Sequence, residues 1–253
     1  MTEKLYYEDS LLFTFRANVL RCLQEGNHWN VTLDRTAFFP EGGGQRGDRG
    51  SLGGIQVLDT QQEAGGEIIH LCSAPLEPGS ELEGQVNREL RFARMQNHSG
   101  EHILSGHAHR LYGCTNVGFH MGDSDVTIDF DRELTAEQLQ NLEMLANRTV
   151  WENLGIRAWF PDAGTLEAMD YRSKLELNEA VRIVEIPGVD RCACCAPHVP
   201  FTGMIGVIKI LDAERHRNGI RLSVACGSWA LEDYCRKQQS AAEISAPLSA
   251  KRD

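Results

Sequence analysis

The chain has 253 residues with a formal net charge of −11, and 42% of its residues are hydrophobic and 24% charged. This composition is that of a folded globular protein and excludes a disordered, collagen-like or coiled-coil chain. The acidic balance argues against a broad basic surface for nucleic acid, so any contact with phosphates has to be local.

Targeting signals are not evident in the sequence. No segment approaches the roughly 18 consecutive apolar residues of a membrane span, and the first ten residues, MTEKLYYEDS, lack the basic and apolar regions of a signal peptide. We therefore expect a cytoplasmic protein without a membrane partner. In that setting the eight cysteines are expected to be free thiols or metal ligands rather than disulfides.

The first part of the chain reads as short β-strands. Apolar or alternating runs stand at 11–22, 29–36, 54–60, 67–72 and 81–86, and glycine-rich or polar turn signals divide them. This spacing is typical of a barrel or a sandwich. We predict a first, β-rich domain at 1–91.

From Phe92 onward the pattern changes to mixed helices and strands. Thr135 and Gln138 form a capping box at the start of an amphipathic helix that extends to Leu154. Strand candidates follow the alternating or apolar runs at 124–131, 180–187, 204–212 and 219–227. We predict an α+β domain at 92–240 and a flexible C-terminal tail at 241–253.

Two pairs of potential metal ligands stand out, each with a spacing of four residues. His98 and His102 fall in a predicted helix, where this spacing directs both imidazoles to one side. Cys194 and His198 lie in a proline-containing loop between strand candidates. Nitrogen and sulfur donors of this kind suit zinc, so we predict one Zn²⁺ per chain held by these four side chains.

Alternatives remain for each pair. The segment from His98 to His102 contains Glu101 and so also matches the His-x-x-Glu-His of inverted zinc peptidases. Cys192 and Cys195 lie on either side of Cys194 in the sequence, and either could replace it as a ligand. A structural zinc site in a non-catalytic RNA-binding module is a third possibility, because such sites close with four protein ligands.

Three motifs in this order resemble those of the alanyl-tRNA editing proteins, the freestanding relatives of the alanyl-tRNA synthetase editing domain. They are the glycine-rich segment at 33–50, the His-x-x-x-His pair and the Cys-x-x-x-His pair, and the likeness extends over about residues 5–235. The resemblance implies a small N-terminal β-barrel followed by a zinc-containing editing domain. It also implies hydrolysis of the ester in mischarged tRNA(Ala), with seryl-tRNA(Ala) first and glycyl-tRNA(Ala) second. Whether zinc activates water or orients the substrate stays open.

The resemblance implies contacts with the acceptor end of tRNA(Ala), and candidates for them fall in two groups. The first is the glycine-rich turn, which permits close approach of its backbone; its members are Gly42, Gly43, Gly44 and Gln45. The second comprises arginines expected to meet phosphates: Arg88, Arg91, Arg94, Arg217 and Arg221.

Three polar residues are candidates for chemistry beside the metal. Glu101 is the candidate for water activation, although on a regular helix it points away from His102. Editing domains often have a glutamine near 115–123, and this chain departs from that pattern. Asn116 or His120 could supply the missing polar contact.

Overall fold

A computed structural model describes residues 2–173 and 181–248. The predicted fold class is confirmed: a closed β-barrel is followed by a mixed α/β region. The strand prediction at 180–187 falls partly outside the described residues.

The barrel is built from strands of the first part of the chain. Their bounds are β1 (Glu3–Lys4), β2 (Thr14–Glu25), β3 (His28–Leu33), β4 (Arg35–Thr36), β5 (Gly50–Leu52), β6 (Ile55–Gln62), β7 (Ile68–Cys72) and β8 (Glu81–Val86). The barrel closes in the order β2-β3-β7-β6-β5-β8, while β1 and β4 form a separate parallel pair. Inward-facing residues, which alternate with outward-facing ones along the strands, form its core; Phe15, Val31 and Leu52 are examples.

The second region surrounds one long helix, α1. Its elements are α1 (Arg88–Tyr112), β9 (Asn116–Met121), β10 (Val126–Phe130), α2 (Ala136–Trp151), β11 (Arg157–Trp159), α3 (Ala163–Glu167), β12 (Ile183–Ile186), β13 (Asp190–Ala193), β14 (Ile208–His216), β15 (Gly219–Cys226) and α4 (Ser228–Leu248). One sheet has the order β14-β15-β10-β9 and the other β11-β12-β13. Both α1 and α2 pack on the first sheet through a shared apolar core.

Local signals fix the helix ends. The Asn87 side chain accepts a hydrogen bond from Leu90 N at the start of α1, and Gly113 ends the helix in the left-handed conformation with φ of 64°. Both hydrogen bonds of the predicted capping box at Thr135 and Gln138 are present at the start of α2. The prediction for this helix is therefore confirmed, with its end at Trp151.

The division into domains stays a prediction. The proposed boundary at Arg91 falls within the first turn of α1, and α4 extends to Leu248, inside the segment predicted as a tail. Among the helices described, none combines the length and apolar character that crossing a bilayer requires.

Candidate metal centre

The buried helix α1 supplies the first two metal-ligand candidates. It lies between the barrel and the four-stranded sheet, so His98 and His102 are only 2% exposed. Asn97 fixes the helix on β15, because Cys226 N donates to Asn97 Oδ1 at 2.8 Å. The spacing of four residues places both imidazoles on the same side, with ring centroids 5.6 Å apart.

The loop after β13 brings the second pair to the same point. Cys194 Sγ lies 3.4 Å from His198 Nε2 and 3.6 Å from His98 Nε2. The donor atoms of His98, His102, Cys194 and His198 all lie within 4.8 Å of one another. Zinc bonds of about 2.3 Å to sulfur and 2.0–2.1 Å to nitrogen, at the tetrahedral angle, separate the two donors by about 3.5 Å. The measured distances fit that arrangement, so this cluster could hold a metal ion.

Each of the three histidines is oriented through Nδ1. His98 Nδ1 lies 3.0 Å from Gln45 Oε1, and His102 Nδ1 lies 2.9 Å from Asp190 Oδ2. His198 Nδ1 lies 3.0 Å from Ser99 Oγ. Partners of this kind fix the ring and the tautomer of metal-binding histidines, and they direct all three Nε2 atoms to the common point.

Burial favours the neutral forms of two of the metal-ligand candidates. Burial, followed by the neighbouring His102 and His98, lowers the pKa of His198 well below its usual value. Burial, followed by the adjacent Cys195, raises the pKa of the Cys194 thiol. Neutral imidazoles are the form that binds metals, and a bound cation offsets the cost of forming the thiolate.

Asp190 carries a negative charge next to this cluster. Burial alone would raise its pKa, but hydrogen bonds from Arg172 and His102 outweigh burial and hold the pKa below its usual value. Arg172 donates from Nε at 2.7 Å and from Nη2 at 2.8 Å to the two carboxylate oxygens. Asp190 is therefore fixed as an acceptor for His102.

Glu101 is a buried residue of the site and not a surface glutamate. It is 3% exposed, and its Oε2 lies 3.8 Å from His102 Nε2. Ser105 Oγ and Asn116 Nδ2 donate to its Oε1 at 2.7 and 2.5 Å. Asn116 thus contacts Glu101. His120, by contrast, lies on the exposed side of β9 and outside the lining of the cavity beside the cluster, so the structure does not bring it to the metal-ligand candidates.

A cavity of about 470 Å³ opens beside the cluster. Its walls are largely apolar and aromatic, with polar atoms near the metal-ligand candidates. Its lining includes Tyr7, Phe119, Phe160, Arg182 and Glu101. A cavity of this size falls within the range of about 300–1,000 Å³ that accommodates small organic ligands.

The glycine-rich turn reaches the site from the barrel side. Gly42 and Gln45 exchange two backbone hydrogen bonds of 3.0 Å around Gly43 and Gly44, whose φ values are 60° and 82°. A Cβ on Gly44 would lie 2.5 Å from Phe119 O, so only glycine permits this approach to β9. Gln45 is fully buried, which corrects its prediction as a contact for RNA: its side chain contacts His98.

Two of the arginines predicted to meet phosphates are buried. Arg91 and Arg94 have 0% exposure. Arg91 Nε donates to Asp48 Oδ2 at 2.8 Å, and Arg94 Nη1 donates to Gly47 O at 2.6 Å. These side chains join α1 to the barrel and do not face an external phosphate, which corrects that prediction.

The remaining three arginines differ in exposure and pairing. Arg88 and Arg217 are exposed. Arg221 forms two hydrogen bonds with Asp129, of 2.7 and 2.8 Å. Arg88 and Arg217 are therefore the surface cations of the predicted set.

Sequence reasoning missed the partners that orient the histidines. Asp190 and Arg172 lie far from the histidines in sequence and match no ligand spacing, so only the fold brings them together. Ser99 follows His98 directly and carried no signal beyond its polarity.

Comparisons with known proteins find similarity over most of this chain. Residues 181–222, which include Cys194 and His198, match the family described as the threonyl and alanyl tRNA synthetase second additional domain. The chain is 33% identical over 241 residues to the alanyl-tRNA editing protein AlaX-L of Pyrococcus horikoshii, an alignment that covers 91% of this chain and 59% of that protein.

Longer relatives share the same region. Identity to the alanine-tRNA ligase of Pyrococcus furiosus is 34% over 252 residues, covering 94% of this chain and 27% of the ligase. Identity to the alanine-tRNA ligase of Pyrobaculum neutrophilum is 33% over 270 residues, covering 100% of this chain and 30% of the ligase. The chain thus spans between about a quarter and three-fifths of the length of these relatives.

Proposed function

Because the chain belongs to the alanyl-tRNA editing protein family, we propose that it is a trans-acting hydrolase that deacylates mischarged tRNA(Ala). Seryl-tRNA(Ala) is the first expected substrate and glycyl-tRNA(Ala) the second. The observation that carries the proposal is the convergence of four donor side chains, three of them oriented through Nδ1, at the wall of a ligand-sized cavity.

The metal in this proposal is one Zn²⁺ held by His98, His102, Cys194 and His198. Mixed nitrogen and sulfur donors with separations near 3.5 Å suit zinc. Zinc supplies Lewis-acid chemistry, which lowers the pKa of a water or polarises a carbonyl oxygen and so favours ester hydrolysis at neutral pH.

Glu101 is the side chain assigned to accept a proton from the attacking water. Its carboxylate faces the same cavity as the metal-ligand candidates, and Ser105 and Asn116 hold Oε1 by hydrogen bonds. This support fixes the direction of Oε2, which is what a general base requires. Asn116 acts as a positioning residue in this scheme.

The nucleic-acid partner in the proposal is the acceptor end of tRNA(Ala). The exposed Arg88 and Arg217 are its candidate phosphate contacts. Because these cations are few, the affinity for tRNA should fall only modestly as the salt concentration rises. If log affinity fell against log salt concentration as steeply as for a protein with about ten phosphate contacts, this limited interface would be contradicted.

The test is deacylation of a panel of mischarged tRNAs by zinc-loaded protein. We expect release of serine and glycine from tRNA(Ala) and sparing of alanyl-tRNA(Ala). Cys194→Ala and His102→Ala proteins should lose both zinc and activity, whereas Cys235→Ala, at an exposed cysteine of α4, should retain both.

Three outcomes would overturn the proposal. Deacylation at the parent rate by Cys194→Ala or His102→Ala protein without zinc would exclude the metal from the reaction. Peptide cleavage that depends on Glu101, without deacylation, would identify a zinc peptidase. Tight tRNA binding without any hydrolysis would identify a non-catalytic RNA-binding module.

A further inference from the structure

We propose that Arg182 is a further catalytic residue, whose guanidinium binds the oxygen that becomes negative during ester hydrolysis and then the carboxylate of the released amino acid. This inference rests on the proposed function, because it adds a residue to the same reaction. It assigns a ligand to a buried cation that neither the metal centre nor the proton transfer uses.

Arg182 is a buried cation whose charge no carboxylate balances. It lies directly before β12 and is 7% exposed. Within residues 2–173 and 181–248, no aspartate or glutamate forms an ion pair with it. Arg172 differs, because both carboxylate oxygens of Asp190 accept hydrogen bonds from its guanidinium. A buried charge without a partner costs free energy, and an anionic ligand at Arg182 would offset that cost.

The guanidinium is held in place while part of it stays available to a ligand. Arg182 Nη1 donates to the carbonyl oxygens of Cys194 and Ala196, at 3.0 and 2.9 Å. The Tyr7 ring packs against the guanidinium, with its centroid 5.0 Å from Cζ. No acceptor in the described part of the chain takes a hydrogen bond from Nε or Nη2. Because Arg182 lines the cavity, these nitrogens are the donors that a ligand there can reach.

Arg182 and Glu101 lie beside different metal-ligand candidates. The nearer carbonyl group of the loop belongs to Cys194, whose Sγ lies 3.4 Å from His198 Nε2. Glu101 Oε2 lies 3.8 Å from His102 Nε2. Both side chains line the same cavity. An ester bound at the cluster would therefore have a proton acceptor next to one ligand candidate and a cation next to another.

Each charge has a defined task in ester hydrolysis. Glu101 takes a proton from water, and the water oxygen forms a bond to the carbonyl carbon. The π electrons of the carbonyl group move to its oxygen, and Arg182 donates hydrogen bonds to this oxyanion. When the C=O bond re-forms, the bond to the ribose oxygen breaks, and the proton on Glu101 moves to that oxygen. The acid releases its own proton to solvent, which leaves a carboxylate that a guanidinium binds well.

The experiment compares variants and ligands that differ in one charged group. Zinc-loaded parent, Arg182→Lys, Arg182→Met and a control, Arg148→Met at an exposed arginine of α2, are assayed for deacylation of seryl-tRNA(Ala). Each protein is also titrated by NMR with L-serine, the expected product, and with L-serinol, in which a hydroxymethyl group replaces the carboxylate. This binding is measured without turnover. Zinc content and circular dichroism check the metal and the fold.

We expect kcat to fall by about 100- to 1,000-fold in Arg182→Met, while the KM for the RNA stays within about threefold of the parent value. Arg182→Lys should retain part of the activity, because it keeps the charge but loses the planar set of donors. L-serine binding should weaken by about 10- to 150-fold in Arg182→Met, and L-serinol binding should not change. Arg148→Met should match the parent in every measurement.

Three results would overturn the assignment. Parental deacylation and L-serine binding in folded, zinc-loaded Arg182→Met would show that the reaction does not use this cation. A higher KM with unchanged kcat would identify a contact with an RNA phosphate instead. Loss of zinc from both Arg182 variants would identify a side chain that only supports the loop carrying Cys194.

Failure of this inference is distinguishable from failure of the proposed function. Normal deacylation by Arg182→Met would refute the role of Arg182 alone. L-serine binding that depends on Arg182, in a parent protein without deacylase activity, would leave the carboxylate site standing and refute the proposed reaction.

Discussion

Replacing Gln45 by leucine tests whether the barrel supports the metal centre. The side chain is fully buried, and its Oε1 is the acceptor 3.0 Å from His98 Nδ1. Leucine removes this acceptor at similar volume, and an unsatisfied buried N–H costs about 1–3 kcal/mol. Loss of such a partner lowers metal affinity by about 10- to 100-fold, or about 1.4–2.7 kcal/mol. We therefore expect zinc affinity to fall within that range.

The assay is equilibrium competition for zinc against a chromophoric chelator, with thermal unfolding and circular dichroism as checks of the fold. Gln85→Leu, at an exposed glutamine of β8, is the matched control and should bind zinc as the parent does. Gln45→Glu restores an acceptor and should retain at least parental affinity, because the Nε2 it replaces has no hydrogen-bond partner. Parental zinc affinity in a correctly folded Gln45→Leu protein would refute the reasoning.

Three further predictions concern stability, each measured by urea unfolding. Burial lowers the pKa of His70 from 6.5 to about 4. Between these pH values the unfolded chain binds a proton at His70 that the folded barrel excludes. The free energy of unfolding is therefore unaffected by this group above pH 6.5, and it falls by about 3 kcal/mol in all as the pH decreases to 4. His70→Gln should remove that part of the pH dependence, and an unchanged profile would contradict the assignment. Arg91→Met leaves the Asp48 carboxylate buried without its partner and should cost about 3–5 kcal/mol; a loss below about 1 kcal/mol would exclude a structural ion pair. Gly100→Ala places a Cβ 2.3 Å from Cys226 Sγ, so it should destabilise by about 1–3 kcal/mol despite alanine's better helix propensity. Adding Cys226→Ala should restore much of that loss, and no recovery would show that the clash is not the cause.

The local parts of the fold are predictable from sequence. The start of α2 follows from Thr135 and Gln138, because both capping hydrogen bonds join residues three apart. Strand β9 is different: Val117 is 59% exposed and no regular apolar alternation marks the strand. Its pairing with β10 and the hydrogen bond from Met121 N to Gly44 O define it, and these depend on the assembled fold.

The same distinction applies to the site. The metal-ligand candidates form pairs four residues apart, so spacing predicts them. The acceptor for His98 lies 53 residues away and that for His102 lies 88 residues away, and no local pattern connects them. For two arginines of α1, Arg91 and Arg94, sequence reasoning predicts exposure where the structure shows burial, because charged residues are usually found at the surface. Arg91 is buried only because Asp48, 43 residues away, compensates its charge.

These long-range contacts give the barrel a second role besides any contact with RNA. Gln45 orients His98, while Arg91 and Arg94 attach α1 to backbone and carboxylate groups of the barrel. A metal-ligand candidate and the helix that carries it therefore share their support. Because packed interiors transmit displacements rather than absorb them, a shift of α1 against the barrel would alter the direction of His98 Nε2. Geometry at the candidate metal centre is consequently a property of both regions, and we expect changes in the barrel core to affect the proposed zinc affinity before they affect the amphipathic helix α2.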